Sequence, residues 1–164
     1  MVWSLHRFAM MRLLAVVVVI ALGPGCLSSD PTGRSQTQQD LVRNRELFAK
    51  SAPASYELTW QQSCFCGADV TDPIRITVNG TNLTKAVYVA DQQPVSASVR
   101  DTVKTIPAVF ELIRQMLERN ADEVTVEYDA TMHYPTSVFI DIDKKASDEE
   151  LDIHLSDFVF PASS

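Results

Sequence analysis

Apolar residues change period several times along the chain, and each change marks an element. Between Asp40 and Lys50, Leu41 and Phe48 fall on one helical face with Leu47 beside them. Asp40 is placed to cap that helix, and Ser51-Ala52-Pro53 ends it. Three strand-like runs follow. Tyr56, Leu58 and Trp60 alternate with polar neighbours, as do Ile74, Ile76 and Val78. Asn79-Gly80 then signals a hairpin into a return strand from Leu83 to Ala90. Asp91 to Asp101 is polar and reads as a loop.

From Thr105 to Arg119, the residues Ile106, Val109, Phe110, Ile113, Met116 and Leu117 make one helical stripe. Thr105 suits its cap, Pro107 its first turn and Asn120 its exit. Three more alternating runs close the chain, around Val124–Tyr128, Val138–Ile142 and Leu151–Leu155. One apolar face per strand implies an antiparallel sheet packed on one side and wet on the other. The order predicts an α+β fold, about six antiparallel strands with two helices packed on one face.

The first residues do not belong to this pattern. His6, Arg7 and Arg12 precede a wholly apolar run from Leu13 to Leu22, followed by Gly23-Pro24-Gly25-Cys26. A basic start, a short apolar stretch and small residues before a cut site read as a signal peptide over residues 1–25. Ten apolar residues in a helix reach about 15 Å, half of a bilayer core, so cleavage is expected rather than a permanent span. Cys26 is then the expected lipid-attachment residue, although Gly23 stands where a lipoprotein signal normally has Leu. Gly23 and Gly25 also satisfy an ordinary signal peptidase, which would leave a soluble secreted protein. Residues 26–39 are polar and Ser/Gln/Thr-rich, the composition of a flexible tether from anchor to domain. The folded domain is expected over residues 40–161, with a tail at 162–164. The expected location is outside the cytoplasm, on a cell membrane through the lipid on Cys26.

Losing residues 1–25 removes Arg7 and Arg12 and no acid, so the formal charge of −7 becomes −9. That balance disfavours nucleic acid as a partner, since phosphates need Lys and Arg to neutralise them.

Several landmarks together resemble a domain of unknown function found in many small bacterial lipoproteins. They are Tyr56 leading a strand into Ser63-Cys64-Phe65-Cys66, the Ile74–Gly80 strand and turn, and Val126-Glu127-Tyr128-Asp129 ahead of Tyr134-Pro135-Thr136. Ile140-Asp141 and Asp148-Glu149-Glu150-Leu151 complete the series, which spans roughly Arg43 to Phe158. Such proteins usually carry Gly before the Tyr-Pro, where His133 stands here. The resemblance implies an exported lipoprotein and brings no activity with it.

Cys64 and Cys66 carry the main chemical question. They share parity with Tyr56, Leu58 and Trp60, so a straight strand would point both at the core with Cα atoms about 6.6 Å apart. That separation lies at the upper edge of what a disulfide bridges, so a bonded pair requires a bulge or bend. A structural disulfide leads, because exported thiols oxidise. A labile redox disulfide, and a free-thiol or metal-binding pair, stand as alternatives.

The remaining candidates carry less. His154 shares the wet-face parity of Asp152 and Ser156, and His133 lies in a turn, so no Ser-His-Asp relay forms from them. The acidic stretch from Asp141 to Asp152 fails as a calcium loop: Lys145 would fill a ligand position and Ala146 the obligatory glycine. No cofactor or metal is expected. Trp60, Tyr88, Tyr128 and Tyr134 fit either a sheet core or a ligand pocket. No complete catalytic constellation is legible, which leaves a non-enzymatic module binding an envelope protein or peptide. Thiol–disulfide chemistry at Cys64 and Cys66 is the alternative.

Overall fold

A computed structural model describes residues 31–146 and 148–160. The expected leader, Cys26 and the tail at 162–164 lie outside the described residues. The elements run α1 (Pro31–Ser51), β1 (Ser55–Ser63), α2 (Ala68–Thr71), β2 (Ile74–Asn79), β3 (Asn82–Tyr88) and α3 (Ala97–Thr102). They continue with α4 (Ile106–Glu118), β4 (Glu123–Tyr128), β5 (Pro135–Asp141) and β6 (Leu151–Val159). One six-stranded antiparallel sheet has the order β3-β2-β1-β6-β5-β4, two three-stranded meanders joined through β1 and β6. The α+β expectation holds, with the two long helices packed on one face.

The core lies on the apolar face that alternation predicts. Leu58, Trp60, Ile74, Ile76 and Val78 have no exposed surface, and Ile106, Val109 and Ile113 close over them from α4. Burying one such side chain contributes about 1.5–3 kcal/mol, so this layer dominates stability. The Trp60 Nε1–H finds no partner within it.

Three local features depart from the periodic reading. First, α1 begins at Pro31, so residues 31–39 are helical where a flexible tether was expected. The cause is tertiary. Arg34 donates to the carbonyls of Leu117 (3.4 Å) and Ala121 (2.6 Å) and to Asn120 Oδ1 (3.1 Å). It thereby places a cation at the C-terminus of α4, where the helix dipole favours one. Asn120, at φ 59°, makes that exit as expected, with Asn120 N–H bonded to Leu117 O and Ala121 N–H to Met116 O.

Second, the expected loop from Asp91 to Asp101 contains most of α3, capped by Ser96, whose hydroxyl accepts from Val99 N–H. Third, Thr105 does not cap α4 through its side chain. The buried Tyr56 hydroxyl does that work, accepting from Ile106 N–H at 3.1 Å. Burial pushes the Tyr56 hydroxyl pKa up to about 12.

Near its end β6 carries a bulge at Asp157, φ 51°. The extra residue flips Phe158 from the wet-face parity onto the apolar side, where it stacks between Tyr56 and Tyr134 at 5.4 and 5.1 Å. Thr59 Oγ1 donates to Asp157 Oδ2 at 2.8 Å, and Arg75 lies 3.7 Å from the same carboxylate.

Candidate functional site

Among the described residues no long helix covers the opposite face of the sheet. It carries Glu57, Thr59 and Gln61 of β1, Arg75 and Thr77 of β2, and His154 and Ser156 of β6. Past this face, β1 runs out at Ser63 into the Cys64-Phe65-Cys66 tip.

The sulfurs of Cys64 and Cys66 are joined as a disulfide, with Cα atoms 5.2 Å apart. The strand stops before the pair, and Cys66 N–H bonds back to Cys64 O at 2.8 Å. That bend shortens the roughly 6.6 Å expected of a straight strand into bridging range. It also turns the pair off the core: Cys64 is half-buried, Cys66 exposed, and Phe65 between them 83 % exposed. Parity would have carried both cysteines inward, and the early end of β1 overrides it. Buried Gln62 takes the last inward position, its amide 3.5 Å from the Cys64 sulfur.

A shallow groove beside the tip is lined by Ser63, Cys64, Phe65, Asp148, Glu150 and Asp152. The surroundings are acidic. Reactive cysteines sit in electropositive sites that stabilise thiolate, and carboxylates do the reverse. Asp152 pairs with His154 at 3.2 Å on the adjoining bare face, where His154 is exposed as its parity required. Asp141, at the end of β5, is buried, and burial raises its carboxyl pKa, with Glu150 adding to the effect.

The other sequence candidates separate. His133 sits at φ 63°, in the left-handed region, so the turn keeps the backbone a glycine there would serve. A non-glycine residue holds such a conformation at a cost of order 1 kcal/mol. His133 N–H bonds to Asp129 O, and Asp129 Oδ1 accepts from Thr131 and Met132, which fastens the turn. Trp60 and Tyr134 are core residues, Tyr88 is half-buried near α2, and Tyr128 lines a groove against α1. The four aromatics do not converge on one pocket. The acidic loop is fastened to β4, with Lys144 Nζ 2.9 Å from Glu123 and Lys144 N–H bonded to Asp122. Among the described residues no three His, Cys, Asp or Glu side chains converge as metal ligands. No described helix is long and apolar enough to cross a membrane.

Fold and tip together define a small two-layer α+β domain with one helix-covered face, one bare face and a disulfide-closed tip. Residues 40–160 match the family described as Family of unknown function (DUF6174), and the chain belongs to that family. Neither a curated protein nor a solved structure gives a significant match.

Proposed function

We propose that this domain is an exported, lipid-anchored binding module of the cell envelope, non-enzymatic, which engages a partner protein or peptide through the Cys64-Phe65-Cys66 tip. One observation carries the reading: a phenylalanine 83 % exposed at the apex of a loop closed by a disulfide. Aromatic side chains are favoured anchors in protein interfaces. Fixing the anchor covalently beforehand lowers the ordering cost of association. The partner chemistry that fits is an apolar slot for Phe65 with a basic rim to meet Asp148, Glu150 and Asp152. The basic-then-apolar start of the chain and Cys26 support export and tethering.

The test is photocrosslinking in native membranes from a reactive residue at position 65, with position 154 on the bare face as control. A discrete adduct from position 65, absent from position 154, supports the tip as the contact. Equal or no labelling from both sinks it. For the anchor, Cys26→Ala should move the protein from the membrane to the soluble fraction.

Exposure of Cys66 favours a second reading, thiol–disulfide exchange. The acids around the tip weigh against it, since they would hold a freed thiol protonated. Turnover in a disulfide-exchange assay, lost in Cys66→Ser, would establish this chemistry in place of simple binding.

A further inference from the structure

The sheet ends in two edges that differ in a way the tip does not explain. On the β3 side the backbone is covered: Tyr88 N–H bonds to Gln93 O, Val95 N–H to Ala86 O, and the Arg100 guanidinium to Leu83 O. On the β4 side the described residues leave it open. Asp122 N–H bonds to Ile142 O at 3.3 Å, which fixes the phase of the ladder with β5. Residues of the parity of 122, 124 and 126 therefore pair inward, and the N–H and C=O groups of Glu123, Thr125 and Glu127 point away from the sheet. Among the described residues nothing bonds to those groups.

Two features flank that edge. On the bare face stand Glu123 and Glu127, the first ion-paired to Lys144. On the helix side a groove of about 520 Å³ runs between α1 and β4, lined by Asp40, Asn44, Leu47, Val126, Tyr128 and His133 among others. The Tyr128 hydroxyl there is shielded from solvent and has no hydrogen-bond partner among the described residues. A buried hydroxyl left unpaired is unfavourable, and a small shift of the Tyr128 side chain toward the groove would let a ligand group satisfy it.

An added strand projects side chains alternately to the two faces. We infer that the β4 edge takes up an extended peptide segment as a seventh strand. Its basic side chains lie against Glu123 and Glu127, and its intervening apolar or amide side chains enter the α1–β4 groove. Edge acids also repel a second copy of this chain, whose formal charge is −7. The same charge that blocks self-pairing selects a cationic strand. This surface is separate from the Phe65 tip, and neither proposal depends on the other.

The probe is a capped nine-residue peptide alternating Lys and Val, titrated into the full chain in detergent micelles and followed by backbone amide shifts. Two control peptides replace Lys by Glu or N-methylate alternate amides at unchanged charge. The expected result is saturable binding, with shifts centred on 123–128, by the Lys/Val peptide alone. Thr125→Pro removes an outward N–H without touching the β5 ladder, and should weaken binding about tenfold or more at an unchanged unfolding midpoint. Glu127→Lys should weaken it as well. Absence of binding by the unmodified peptide overturns the inference. Equal affinity for the N-methylated peptide also overturns it, by reducing the effect to charge alone, and that comparison stands even if Thr125→Pro fails to fold.

Discussion

On the helix-covered face, Leu58, Trp60, Ile74 and Ile76 are shut away from water, while Thr59, Gln61 and Arg75, one residue along the same strands, lie on a face that no described long helix covers. One face holds the domain together by apolar burial. The other carries polar cross-strand contacts, such as Thr59 to Asp157 and Thr77 to Glu57. The tip extends the second regime: its disulfide closes three residues, and its phenylalanine contacts mainly solvent. Stability and surface chemistry are thus carried by alternate residues of the same strands.

The sharpest way to break this contrast is a pair of substitutions in adjacent residues of β1. Trp60→Ala should cost about 3–5 kcal/mol in urea unfolding, by loss of burial and creation of a cavity. Thr59→Ala should cost less, about 1.5–2 kcal/mol, the net value of one hydrogen bond to a carboxylate. Similar losses from both would deny the faces their different roles.

A second prediction uses pH. The Tyr56 hydroxyl pKa is raised from 10.0 to about 12 by burial, so above pH 10 the unfolded chain releases this proton while the folded one keeps it. Stability should therefore fall as pH rises from about 10 to about 12, by roughly 2–3 kcal/mol from this group. Tyr56→Phe should lack that share of the alkaline slope. It should also be less stable at neutral pH by about 1–3 kcal/mol, because Ile106 N–H loses its buried acceptor. Denaturant melts of both proteins at pH 8 and pH 11 check both signs.

Smaller effects come from the periphery. Cys64→Ser with Cys66→Ser should lower stability by only about 1–2 kcal/mol, since closing three residues removes little unfolded-state entropy. Arg34→Ala should cost about 1 kcal/mol and increase amide exchange in the first turns of α1, by uncoupling them from the end of α4.

The strands, their inward parity and the stripe of α4 were legible because each is set by neighbours two to four residues apart. What sequence pattern missed is set by distant residues. The first turns of α1 are polar and look like a tether, and their fixed point is Arg34 reaching Leu117 and Ala121. The cap on α4 comes from Tyr56, fifty residues earlier. The Asp157 bulge breaks alternation in β6 and sends Phe158 inward, although nothing in the spacing marks it. At the tip, parity pointed the cysteines at the core. The end of β1 at Ser63 and the bend between the cysteines place Phe65 outside instead. The acids beside the tip were visible in the sequence, but their proximity to Cys64 follows from β6 pairing with β1.

The division of labour between core and tip is tested most directly by the urea midpoint of Phe65→Ala. A solvent-facing side chain contributes nothing to burial, so the midpoint should match the wild-type protein to within about 0.5 kcal/mol. A loss approaching that of Trp60→Ala would show Phe65 to be a folding residue and contradict the account.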